Sequence, residues 1–179
     1  MKYVALIRGI NVGRKNRIKM ADLVNYLDLK GFNNIKTYLQ SGNIIFEDKT
    51  FDISKIASVI EDTINQTFGF SVNVIIRNED ELESIIESNP FINEPNIEFD
   101  KLYVTFLEKI PDKEHILNLD IKKGENEKLD FKGKEIYLYL PNGYSKTKLT
   151  NDIFEKKLNI TATTRNWKTV CKLRELTKI

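Results

Sequence analysis

Residues 8–19 read Arg-Gly-Ile-Asn-Val-Gly-Arg-Lys-Asn-Arg-Ile-Lys, and they hold the chemistry most legible in this chain. Arg8, Arg14, Lys15, Arg17 and Lys19 bring positive charge, Gly9 and Gly13 bring backbone freedom, and Asn11 and Asn16 bring amides. A long loop inside a compact domain is uncommon and marks either function or disorder. Glycines and amides among cations favour an ordered surface of N–H groups and charge, which is what an anion needs. Two further segments share that character. Ser41-Gly42-Asn43 lies between two strand-like runs, and Arg165-Asn166 precedes an amphipathic run that starts at Trp167. The candidate ligand-binding set is therefore Arg8, Gly9, Asn11, Gly13, Lys15, Asn16, Ser41, Gly42, Asn43, Arg165 and Asn166.

Each candidate also has a purely structural explanation. Arg8 can fork onto a phosphate or carboxylate, or tie the loop to a carbonyl within the fold. Ser-Gly is a tight-turn pair that needs no ligand to explain it. Asn166 can cap a helix and Trp167 can fill a core, while the same helix start beside Arg165 is also ready for an anion. Nucleophilic catalysis finds little support. The one histidine, His115, sits in a polar stretch of the other half, and no spacing pairs Ser41 with a lysine base. RGINVG is neither GxGxxG nor a Walker loop, so it is no nucleotide motif in itself. The acidic run Glu79–Glu83 lacks the alternation of a calcium loop and suits the positive end of a helix.

The surrounding periodicity predicts how these segments are held. Tyr3 to Ile7 is an apolar strand; Met20, Leu23, Val24 and Leu27 recur at helical spacing before Gly31. Strands are expected over 36–39 and 44–47, joined tightly around Gln40 to Asn43. Asp52 can cap a helix running to Gly69, and Val72, Val74 and Ile76 alternate as a fourth strand. Strand, helix, strand, strand, helix, strand is the ferredoxin-like βαββαβ pattern. Right-handed crossovers then make the first two strands parallel, ending at one edge of the sheet. The cationic loop and the first hairpin tip should meet there.

Further on, Asn78 and Glu81 form a capping box. Residues 89–97, with Pro90 and Pro95, read as a linker, and a strand follows over 101–107. A hairpin turns at Lys132-Gly133-Lys134, Leu149, Ile153 and Leu158 suit a helix, and residues 161–164 are extended. The fold class is α+β: a ferredoxin-like subdomain over 1–90, then a smaller α+β subdomain over 91–179 packed against it. No internal repeat is visible in the residues.

Composition narrows the function classes. Of 179 residues 41% are hydrophobic, ordinary for a globular protein, and a net charge of +2 is too weak to argue for nucleic acid. The single cysteine, Cys171, excludes an intrachain disulfide and a multi-cysteine metal site. No run approaches the length of a membrane span, and the apolar stretch before Arg8 is too short for a signal core. A soluble cytoplasmic protein is expected.

The motifs Arg8-Gly9-Ile10-Asn11-Val12-Gly13, Thr37-Tyr38 with Ser41-Gly42-Asn43, Lys148-Leu149 and Thr164-Arg165-Asn166-Trp167-Lys168-Thr169-Val170 resemble the bacterial domain-of-unknown-function family 1697. Many members carry a further glycine where this chain has Arg14, a change expected to cost backbone freedom and add a cation. The resemblance implies two α+β subdomains, the first ferredoxin-like. It carries over no known activity and leaves any cofactor unknown. The functional expectation is binding of an anionic ligand, a nucleotide, a phosphorylated metabolite or a nucleic-acid backbone, with a small molecule favoured over nucleic acid. The alternatives are a metal-independent enzyme acting on a phosphorylated substrate in the same groove, and a non-catalytic scaffold whose motif loops lock the subdomains.

Overall fold

Central strands bury both faces, so they read as unbroken apolar runs, and the first one here is Tyr3 to Ile7. The computed structural model describes residues 1–49 and 52–179. Among the described residues it is mixed α+β, with two four-stranded antiparallel sheets and six α-helices. The chain forms two compact units, Met1–Glu83 with Leu173–Ile179, and Ser84–Lys172.

In the first unit β1 (Lys2–Ile7), α1 (Met20–Leu29), β2 (Asn33–Thr37), β3 (Asn43–Glu47), α2 (Ile53–Phe68) and β4 (Val74–Asn78) follow in order, and then α3 (Glu79–Glu87) begins. The sheet order is β2-β3-β1-β4, with every neighbouring pair antiparallel. Because β3 opposes both β1 and β2, those two strands run parallel and end at one rim. Tyr3, Ala5 and Ile7 of β1 and Ile44 and Phe46 of β3 pack against Leu23 and Leu27 of α1 and Ile56, Ile60 and Ile64 of α2. Local signals set the helix ends. Asp52 Oδ1 accepts from Lys55 N at 3.0 Å, and Gly69 adopts φ 77° at the end of α2. Asn78 and Glu81 exchange hydrogen bonds of 2.9 and 2.8 Å, a complete capping box for α3.

One strand differs from the sequence expectation. β2 ends at Thr37, and Leu39 is left-handed at φ 60° and exposed. At that left-handed φ the backbone of Leu39 cannot continue the ladder. The tight turn is instead a wider loop over 38–42, closed by Asn43. Its Nδ2 donates to Tyr38 O at 2.8 Å and Ser41 Oγ at 3.1 Å, and Tyr38 N donates to Asn43 O at 3.0 Å.

The second unit contains β5 (Leu102–Leu107), α4 (Lys113–Leu117), β6 (Lys128–Lys132), β7 (Glu135–Tyr139), α5 (Asn151–Leu158) and β8 (Ala162–Asn166), with α6 (Trp167–Lys178) following. Its sheet order is β6-β7-β5-β8, again antiparallel throughout. Its element order and sheet order repeat those of the first unit. The register repeats as well. Tyr3 and Val4 oppose Asn78 and Arg77, while Tyr103 and Val104 oppose Asn166 and Arg165. In both units that asparagine caps the next helix, Asn166 Oδ1 accepting from Thr169 N at 2.8 Å. Residues 89–97 hold no helix or strand, yet Asn89 and Phe91 are buried, so the segment is anchored and is not a solvated linker.

Tyr137 is also buried, and its hydroxyl donates to Ile85 O at 2.8 Å. Burial, then the nearby Glu135 and Asp130 carboxylates, raise its phenol above the ordinary range. The protonated form is thus the one favoured by folding. Its contribution is complete below the unfolded pKa of about 10 and disappears as pH rises through the folded value. Tyr137→Phe should lower stability by about 1–2 kcal/mol at neutral pH, because the Ile85 carbonyl loses its donor. Urea unfolding of the variant should show the loss, and it should shrink at strongly alkaline pH. A variant as stable as the parent would show that water replaces the hydroxyl.

Candidate functional site

The connection from β1 to α1 is an ordered strap. Gly9, Asn11, Gly13 and Asn16 all lie in the left-handed region, at φ 71°, 54°, 61° and 50°. Glycine and asparagine are the residues that tolerate that conformation, and left-handed residues within a turn point successive N–H groups into a concavity. Ile10 and Ile18 are buried and hold the strap to the core. Asn11 ties it down: Nδ2 donates to Ile18 O at 3.0 Å and to Gln40 O at 2.7 Å, while Oδ1 accepts from Ile18 N at 2.9 Å. Asn11 N donates to Asn16 O at 3.0 Å, and Asn16 Nδ2 donates to Gly9 O at 3.2 Å. Arg14 is not left-handed, so it brings its exposed cation without the backbone cost expected from the missing glycine.

The strap and the hairpin tip meet, as the topology requires. Ile7 N donates to Gly42 O at 2.8 Å, and Arg8 N donates to Asn73 O at 2.9 Å. A β-carbon on Gly42 would lie 2.8 Å from Ile10 Cδ1 and 2.9 Å from Ile7 Cβ. The second unit makes the matching bonds, Leu107 N to Lys134 O at 2.8 Å and Glu108 N to Thr161 O at 3.0 Å. There, residues 108–112 suffice to reach α4, where the first unit uses residues 8–19 to reach α1. The topology does not need the longer connection.

Beside the strap lies an open groove of about 560 Å³. Asn11, Arg17 and Lys19 come from the strap, Asp22 from α1, Gln40 from the hairpin and Phe68 from the end of α2. Lys19 is the N-cap of α1, and no side chain caps this helix. The groove therefore receives the positive end of a helix dipole together with two exposed cations.

The sequence candidates divide. Asn11 lines the groove, but its amide is committed to the backbone, as is that of Asn43, which is fully buried. Arg8 is half-buried at the strand end, and Lys15 and Ser41 are exposed. Arg165 belongs to the second unit, where its Nη1 donates to Thr163 Oγ1 at 2.8 Å and Thr164 O at 2.9 Å. Sequence reasoning passed over Arg17, Lys19, Gln40 and Phe68. Lys19 did carry a signal, since an amphipathic helix beginning at Met20 without a capping residue leaves its first N–H groups for something else. His115 is exposed on α4, with Nδ1 3.6 Å from Asp112 Oδ2. Among the described residues no group of three or more His, Cys, Asp or Glu side chains could hold a metal ion, and no helix is long and apolar enough to cross a membrane.

The fold is similar to the solved structure of the conserved bacterial protein SP0830 from Streptococcus pneumoniae, with a TM-score of 0.76 and 24% identity over 98% of each chain. No curated protein matches. The family model described as "Protein of unknown function (DUF1697)" matches residues 1–137, which include the strap and the hairpin, while the motifs at Lys148 and Arg165 lie beyond it. The chain belongs to this family of proteins of unknown function.

Proposed function

We propose that this protein binds a small anionic ligand, a nucleotide or phosphorylated metabolite, at the rim of its first sheet. The observation that carries the reading is the extra length of the cationic strap. It is pinned beside an uncapped helix, whereas the same junction in the second unit closes with five residues. An anionic group would sit at the start of α1, paired with Arg17 and Lys19, with Gln40 orienting the rest. Arg8 and Lys15 add to the field. Gly9, Gly13, Asn16, Ser41, Gly42 and Asn43 shape the rim, and Asn11 holds it open. Arg165 and Asn166 are assigned to structure in this reading, because each is engaged within its own unit. The sheet order β2-β3-β1-β4 supports classing residues 1–90 as ferredoxin-like. The weak net charge favours a small ligand over a nucleic acid, and the lone cysteine, with no disulfide possible within the chain, supports a cytoplasmic setting.

Asp22 in the groove favours a second reading, an enzyme using that carboxylate as general base on a phosphorylated substrate. Turnover of a phosphorylated substrate by the parent protein, lost in Asp22→Asn, would establish the enzyme, whereas a binding module has no turnover to lose.

The test is a thermal-shift and calorimetric panel of inorganic phosphate, pyrophosphate, sugar phosphates and nucleotides. Arg17→Glu with Lys19→Glu should weaken any ligand found by at least about thirtyfold, from the loss of two charge-assisted contacts. Stability should hold or rise slightly, because an acid at the start of α1 suits the helix dipole. If no anion stabilises the parent protein, the strap is a structural lock and the scaffold reading replaces this one.

A further inference from the structure

We infer that the anion held in this groove is the phosphate of a nucleoside phosphate, a narrower statement that rests on the anion-binding reading above. A phosphate ion or a small sugar phosphate would cover only part of this open groove of about 560 Å³, a size within the range of sites that take larger ligands. The lining is also chemically divided. Arg17, Lys19 and the start of α1 serve an anion, but Phe68 offers an apolar aromatic surface. A sugar ring offers only the C–H edges of one face to such a wall, whereas every nucleobase has a full π-face that stacks on it. The ring of Phe68 is half-buried, packs against the core of the first unit and meets Tyr26 edge-on, with centroids 6.2 Å apart and planes at 86°. Two polar side chains remain to read a ribose or a base edge. Asp22 supplies an acceptor for hydroxyl or amino hydrogens, and the exposed Gln40 supplies both donor and acceptor. The Asn11 amide is unsuited to that task, since both of its donor hydrogens and its oxygen are engaged in holding the strap.

Titration calorimetry of the full chain with inorganic phosphate, ribose 5-phosphate and the common ribonucleoside 5′-monophosphates tests this assignment. At least one monophosphate should bind about tenfold or more tightly than ribose 5-phosphate, the difference being the stacked base. Saturation-transfer NMR should show its base protons receiving more magnetisation than its ribose protons. Phe68→Leu keeps the apolar volume and removes the ring, so it should erase that difference while leaving ribose 5-phosphate unaffected. Equal binding of ribose 5-phosphate and the nucleotides would overturn the nucleoside assignment and leave the anion site standing. A nucleotide preference that survives in a folded Phe68→Leu protein would also overturn it, because the base would then lie elsewhere. Failure of every phosphate, inorganic phosphate included, would remove both this inference and the reading beneath it.

Discussion

Gly42→Ala should lower folding stability by about 2–4 kcal/mol, the largest effect expected from adding one carbon to this chain. Two costs combine. Gly42 sits at φ 80°, where an L-residue with a β-carbon costs about 1–2 kcal/mol. The new carbon would also stand 2.8–2.9 Å from Ile10 Cδ1, Ile10 Cγ1 and Ile7 Cβ. The Ile10 tip can rotate away, but Ile7 Cβ is fixed to the central strand and both residues are buried. Moving the hairpin off β1 would stretch the Ile7 N to Gly42 O bond. Gly13→Ala is the control: its φ is 61° and nothing lies within 4 Å of an added β-carbon, so it carries the backbone cost alone. Urea unfolding of the two variants should show Gly42→Ala as clearly the worse. Equal losses would mean that the hairpin yields freely and does not brace the strap.

Asn11→Ala should release the strap while the sheet remains folded. The variant loses two donated hydrogen bonds and one accepted one, and it places alanine at φ 54°. Two of these bonds are part-buried and the one to Gln40 is exposed, so at about 1 kcal/mol net per bond the local loss is roughly 2–3 kcal/mol before the backbone term. Arg14, Lys15 and Arg17 are exposed in the same segment, so trypsin reports directly on its opening. Cleavage there should accelerate by roughly thirtyfold or more, since each 1.4 kcal/mol is a factor of ten in the open population. Asn11→Gly restores the backbone freedom without the bonds, so it should fall between alanine and the parent. On the proposed anion-binding reading, affinity for the anion should follow the same order. Unchanged proteolysis in Asn11→Ala would show that Ile10 and Ile18 hold the strap unaided.

What was legible in the chain was what depends on near neighbours. Asp52, Asn78 with Glu81, and Asn166 are each read from a side chain and an amide three residues on, and all of these caps form. The meeting of strap and hairpin was legible for a different reason. Two parallel strands linked by a right-handed crossover must end at one rim, whatever their side chains. The end of β2 was not legible, because Leu39 fits a strand by type and leaves it only when Asn43 reaches back to Tyr38. Nor was the repeat. Its two units share strand order and register, but a half-buried sheet asks only for apolar residues, and their β1–α1 and β5–α4 connections differ in length. Burial of Asn89 and Phe91 was hidden by the prolines around them.

The residue order alone therefore determined the α+β elements, their caps, and a cationic segment rich in glycine and asparagine at the end of the first strand. It also marked which residues can turn left-handed, because that capacity belongs to glycine and asparagine themselves. Only the tertiary structure decided which cations face a groove. Arg17 and Lys19 line it beside Phe68, a residue from α2 distant in sequence from both. Side-chain type fixes what a residue can bind, but the company it keeps is set by packing between elements that no local pattern encodes.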